Sequence, residues 1–196
     1  MTKLIVLAGF TGIGKTTIVS QYTNRALVLS GDEIHREAAR RAFPFIRNEH
    51  LYNWEAWPED PNTMHLELLL FVSLQAVAPD LRNHQGAIVI EGTMLINAWW
   101  REALLSAMAA SGQNFSGEDV HLIYMCPPHE RIFTNIRTRL NDGGSRHYER
   151  TKLISPEILA EQLEYYESLL GCYPWTQFTA ADDVHQAITT ILGETA

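Results

Sequence analysis

The sequence predicts an α/β fold in which a parallel sheet is covered by helices on both faces. Three observations predict it. Short apolar runs rich in branched residues alternate with stretches of helical length along the whole chain. The first run, Leu4 to Ala8, is apolar without interruption, which suits a strand buried on both faces. A glycine-rich turn, Gly9 to Thr16, then separates that strand from the first helix.

The elements follow in order. After the strand at Leu4–Ala8, the spacing predicts a helix from near Lys15 to about Tyr22. Ala26–Ser30 is a second strand, and Asp32–Phe43 has helical spacing that stops before Pro44. Pro44 to Pro61 is irregular, with Pro58 and the aromatics Phe45, Tyr52, Trp54 and Trp57. Asn62 to about Arg82 is a long, mostly apolar helix, followed by a strand at Ala87–Glu91 and a helix at Leu95–Ala110. Val120–Met125 is the fourth strand and Glu130–Leu140 a helix. Asn141–Ile154 is a polar loop containing Gly and Arg. Ser155–Leu170 is helical, Trp175–Thr179 a fifth strand and Asp182–Leu192 a closing helix. No internal repeat or composition break divides the chain, so residues 1–196 are expected to form one domain.

Composition narrows the function classes. With 46% hydrophobic and 19% charged residues the chain is an ordinary globular one. A net charge of −8 disfavours broad nucleic-acid binding, which needs Lys and Arg against phosphates, but allows a local basic site. Cys126 and Cys172 form no metal-type cluster, and two separated cysteines suggest a reducing compartment. Met1 to Ala8 lacks the length of a signal segment and no stretch suits a bilayer span, so a cytoplasmic protein with no membrane partner is expected.

The turn Gly9-Phe10-Thr11-Gly12-Ile13-Gly14-Lys15-Thr16 fits G-x-x-x-x-G-K-[ST] at every fixed position. Glycines let the backbone wrap closely around phosphate oxygens with its N–H groups pointing inward. The following helix N-terminus, beginning Lys15-Thr16-Thr17, adds positive potential. Lys15 would reach the outer phosphates of ATP, and the Thr16 hydroxyl would serve Mg²⁺.

Further elements point to phosphoryl transfer. Ser30-Gly31-Asp32-Glu33-Ile34-His35 lies at the C-terminal end of the second strand, where open α/β folds bind ligands. Asp32 there can take the proton of an attacking hydroxyl. The plain alternative is a Ser30/Glu33 capping box with Asp32 favouring the helix dipole. The third strand ends in Glu91, the place of a metal-site acid, although the usual residue is Asp. Glu91 could serve Mg²⁺ or the acceptor, or simply pair with a neighbouring cation. Arg131, Arg137, Arg139, Arg146, Arg150 and Lys152 are six of the fifteen basic residues, with Asp142-Gly143-Gly144 as a hinge among them. A stretch at about 137–154 that closes over ATP would stabilise the transferring phosphoryl group and exclude water.

These runs, with Ile90-Glu91-Gly92-Thr93 and Cys126-Pro127-Pro128-His129-Glu130, resemble the polynucleotide-kinase and zeta-toxin-like branch of P-loop kinases, of the AAA_33 type. Gly31-Asp32 followed by His35 is also similar to the Gly-Asp-x-x-His stretch of gluconate kinases. The resemblance implies a five-stranded sheet in 2-3-1-4-5 order and a catalytic set of Lys15, Asp32, Arg137 and Arg139. It also implies ATP contacts along the loop and from Arg146.

An acceptor-site segment is expected at about 33–85, and the residues expected to bind the acceptor are Asp32, His35, Arg36, Trp54, Trp57 and Glu91. An indole offers a flat wall for a sugar or base, or else anchors a long loop. Pro44–Pro61 holds one cation, Arg47, against Glu49, Glu55, Glu59 and Asp60. That favours a small or nucleoside-type hydroxyl acceptor over a long polynucleotide. A nucleic-acid 5′ end, a nucleotide acceptor held by Arg36, Arg40, Arg41 or Arg47, and an ATP-dependent switch remain alternatives. Trp99 and Trp100 are adjacent on a helix and cannot both face the core, a hint of a homodimer surface.

Overall fold

The structure is a computed structural model that describes residues 2–42, 63–141, 155–171 and 173–193. Five strands run β1 Leu4–Gly9, β2 Ala26–Ser30, β3 Ala87–Gly92, β4 Val120–Met125 and β5 Thr176–Phe178. All pairings are parallel and the order is β2-β3-β1-β4-β5, the order the resemblance implied. The helices are α1 Lys15–Val19, α2 Gly31–Ala42, α3 Thr63–Val77, α4 Ala98–Ala110, α5 His129–Asn141, α6 Pro156–Ser168 and α7 Ala181–Ile191.

The centre of the sheet explains its unbroken hydrophobicity. Every residue of β1 is buried, with β3 on one side and β4 on the other. A strand covered on both faces cannot alternate polar and apolar side chains. Helix α3 packs against α2 and α4. Its Leu66, Leu70 and Leu74 form a buried stripe at four-residue spacing, while Leu68 is exposed. Truncating Leu70 to Ala would cost about 2–5 kcal/mol, since its environment is fully enclosed. Trp100 is buried and Trp99 is 39% exposed, as their adjacency required. Among the described residues no helix is long and apolar enough to cross a membrane.

Differences from the predicted boundaries have local causes. The helix expected from Asn62 to Arg82 ends at Val77, because Pro79 cannot donate its backbone N–H; a 3₁₀ turn, Pro79–Asn83, follows. The helix expected at Leu95 is split: Met94–Ile96 is a 3₁₀ turn, Asn97 is extended, and α4 begins at Ala98. Asn141, expected in the loop, closes α5. Ser155 stands outside α6 as its N-cap, accepting from the Ile158 N–H at 3.2 Å, with Pro156 at the first helical position.

The order also positions the site. From β1 the chain builds β2 and β3 on one side of it, then crosses from β3 past β1 to build β4 and β5 on the other. The loop after β1 therefore sits at the switch point on the C-terminal edge of the sheet, where such folds bind ligands.

Candidate active site

The glycine-rich turn joins β1 directly to α1. Gly14 has φ 96° at the N-cap of α1, and a Cβ there would meet nothing within 4 Å. Backbone conformation, not space, therefore requires glycine at this point. Phe10 and Ile13 are buried, and the Phe10 ring meets Tyr166 of α6 edge-on at 5.2 Å. Their side chains thus anchor the loop to the core, which leaves only their backbone to meet a phosphate. Thr16 and Thr17 are exposed at the start of α1, and Thr11 is half-buried.

Lys15 is only 6% exposed. Its Nζ donates to Gly9 O at 2.9 Å, to Phe10 O at 2.8 Å and, at 3.4 Å, to Thr93 Oγ1. The ammonium is thereby held over the end of β1. The Thr16 hydroxyl donates to Glu91 Oε1 at 3.2 Å. Strand register explains this meeting: Glu91 lies opposite Leu7 on one side and Ser30 on the other.

Glu91 is buried, and burial raises its pKa above the ordinary carboxylate value. Lys15 opposes that shift, Asp32 adds to it, and hydrogen bonds from Thr16 and Ser30 oppose it. Asp32, in the first turn of α2, accepts a long hydrogen bond of 3.4 Å from the Thr93 N–H. Gly92 permits that approach, because a Cβ on it would lie 3.3 Å from both Asp32 N and Asp32 Oδ1. Ser30 caps the same helix, accepting from the Glu33 N–H at 3.3 Å, so half of the expected capping box is present.

The remaining candidates divide by position. His35 is buried with its ring centroid 6.1 Å from that of Trp100, and burial lowers its pKa to about 4 against an opposing push from Asp32. It was expected to line the acceptor pocket; its side chain is buried beside Trp100, and the Pro44–Pro61 segment expected to border that pocket lies outside the described residues. Arg36 is half-buried one turn beyond Asp32. Asn135 of α5 donates through Nδ2 to Gly12 O at 3.1 Å, and Ile136 Cγ1 would lie 3.0 Å from a Cβ on Gly12. Arg139 is one helical turn beyond Asn135, on the side that meets the loop. The Arg137 guanidinium lies 5.6 Å from the Phe133 ring centroid. Arg146, Trp54 and Trp57 lie outside the described residues. Two residues escaped the sequence reading. Thr93 was visible only as part of a strand-end run, and Asn135 carries no motif at all.

Thr16 and Glu91 together offer a hydroxyl and a carboxylate within hydrogen-bond distance. This is the oxygen donor type that suits Mg²⁺, which usually keeps several waters and phosphate oxygens besides one or two protein ligands. No group of three metal-binding side chains occurs among the described residues. The donor set therefore fits a metal brought in largely by phosphates. Two concavities lie away from the loop, one of about 470 Å³ against α7 and one of about 310 Å³ between α3 and α4. The chemistry argues for the loop edge over both, since neither is lined by its residues.

The sheet order and the loop geometry define a P-loop kinase fold. The chain belongs to the AAA_33 family, described as an AAA domain, whose model matches residues 4–168. No curated protein is significantly similar to it in sequence. Among solved structures it is similar to TT1252 from Thermus thermophilus, with 15% identity, TM-score 0.57, and coverage of 100% of this chain and 98% of that one. Shikimate kinase from Acinetobacter baumannii in complex with shikimate matches with 19% identity, TM-score 0.50, and coverage of 98% and 94%. A gluconokinase from Sinorhizobium meliloti 1021 matches with 15% identity, TM-score 0.48, and coverage of 97% and 91%. At such identities the first two establish the fold and nothing finer.

Proposed function

We propose that the protein is an ATP-dependent phosphotransferase that moves the γ-phosphate of ATP to a hydroxyl of a small molecule or nucleoside-containing metabolite. One observation carries the reading: a half-buried carboxylate, Asp32, stands at the sheet edge beside the Lys15, Thr16 and Glu91 cluster, with the Thr93 N–H directed at it. A nucleotide switch has no use for such a base, and a phosphate acceptor, already ionised, does not need one.

In this mechanism the loop N–H groups bind the phosphates, and Lys15 leaves its carbonyl partners to neutralise the outer ones. Thr16 and Glu91 would hold Mg²⁺, which would supply neutralisation of phosphate charge. Asp32 orients the acceptor hydroxyl and takes its proton as the acceptor oxygen bonds to the γ-phosphorus and the bond to ADP breaks. Arg139, one helical turn beyond the loop-contacting Asn135, stabilises charge on the transferring group from α5. The net charge of −8 supports a compact acceptor over a polynucleotide.

The test incubates the protein with ATP and Mg²⁺ over a panel of sugars, shikimate-like polyols, nucleosides, nucleoside monophosphates and 5′-hydroxyl oligonucleotides, read by mass spectrometry. A phosphorylated small hydroxyl compound is expected, with Asp32→Asn lowering kcat by about 10² to 10⁴ and leaving ATP affinity unchanged. Efficient oligonucleotide phosphorylation with a steep salt dependence would move the acceptor class. Nucleotide binding with no transfer to any acceptor would remove the enzyme reading.

A further inference from the structure

We propose that Thr93 is a positioning residue that ties the nucleotide side of the site to the acceptor side. The inference rests on the phosphotransferase reading above. Thr93 touches both key side chains with different atoms. Its Oγ1 accepts from Lys15 Nζ at 3.4 Å, and its backbone N–H donates to Asp32 Oδ1 at 3.4 Å. Lys15, Asp32 and Thr93 are otherwise far apart in sequence, and each sits on a different segment.

The fold makes this placement rigid. Parallel pairing of β3 ends at Gly92, which lies opposite Ala8. Thr93 is the next residue, so its N–H is past the ladder and can turn towards α2. The backbone of Thr93 is helical, φ −68° and ψ −36°, and opens the 3₁₀ turn Met94–Ile96. Met94, Leu95 and Ile96 are all buried, and the Asn97 N–H bonds to Met94 O at 3.0 Å. A turn anchored by three core side chains holds the Thr93 amide in place. Gly92 completes the arrangement by leaving room for Asp32. Both contacts are long at 3.4 Å, and hydrogen bonds among catalytic groups commonly tighten only with the reactants in place.

The two atoms have separable effects. The hydroxyl keeps the Lys15 ammonium on the acceptor side of the loop, so that it meets the outer phosphates next to Asp32. The amide keeps the Asp32 carboxylate facing the same point. Losing the hydroxyl misplaces the lysine; crowding the amide misplaces the base. Neither change removes the loop amides that hold the nucleotide, so turnover falls while nucleotide binding stays.

The test compares Thr93→Val, which keeps shape and amide but lacks the hydroxyl, with Thr93→Ser, which keeps the hydroxyl. A hydrogen bond to a charged group corresponds to about tenfold or more in rate. Thr93→Val is expected to lower kcat by about that factor, with KM for ATP within about threefold and the melting temperature little changed; Thr93→Ser restores kcat. Gly92→Ala is expected to lower kcat by displacing Asp32, again without weakening ATP binding. Equal losses in the Val and Ser variants, or a Thr93→Val kcat within about threefold of wild type, overturn the proposal. If the wild type phosphorylates nothing on the panel, the function reading fails, and the same variants are compared on slow ATP hydrolysis with water as acceptor. Unchanged hydrolysis in Thr93→Val then overturns the positioning role separately.

Discussion

Acidification should destabilise this protein through His35 more than through any surface histidine. His35 is 3% exposed, and its pKa is lowered from 6.5 to about 4 by burial. A histidine held below its unfolded value binds fewer protons in the folded state, so stability falls as pH drops from 6.5 towards 4. With those two values the loss from this one group is roughly 1.4 kcal/mol at pH 5.5 and roughly 2.6 kcal/mol at pH 4.5, relative to pH 8. That is a large share of the 5–15 kcal/mol by which domains are usually stable. Glu91 acts in the opposite direction, since a carboxyl raised by burial favours the folded state as pH falls. The comparison must therefore be between wild type and His35→Gln, which removes the titration and keeps a polar side chain of similar length. Urea unfolding at half-unit pH steps from 7.5 to 4.5 gives both curves. The gap between them should narrow or reverse on acidification by about 2 to 3 kcal/mol. Parallel curves would refute the reasoning that burial keeps His35 neutral in the folded protein.

Lys15→Ala should abolish transfer and weaken ATP binding while the protein still folds, because the ammonium serves the loop carbonyls and the ligand; wild-type turnover in the folded variant would sink the kinase reading. Arg139→Ala should reduce kcat by about tenfold or more and Arg137→Ala by much less, measured as separate single variants, because only Arg139 shares the Asn135 side of α5. Equal effects would mean that α5 turns on nucleotide binding. Asn135→Ala should weaken ATP binding modestly, read by calorimetry, since it releases Gly12 O and loosens the loop.

The sequence by itself determined what depends on near neighbours along the chain. β2 and β4 have the predicted boundaries, and the phosphate loop lies between β1 and α1 as its pattern required. Such features follow from side-chain periodicity and from glycine at fixed offsets, both of which are local. The burial of His35 against Trp100, by contrast, depends on packing between segments that no local pattern names.

The tertiary structure alone decided which residues meet. Asp32, Glu91, Thr93 and Lys15 converge because β2, β3 and β1 run parallel in a register that sets Ser30 and Leu7 on either side of Glu91. One step of slip in either pairing would change which side chains meet at the sheet edge. Which face of α5 meets Gly12, through Asn135 and Ile136, was likewise set by how that helix rolls against the loop. A strand's register and a helix's rotation are settled by packing between segments far apart in sequence, so no local pattern encodes them.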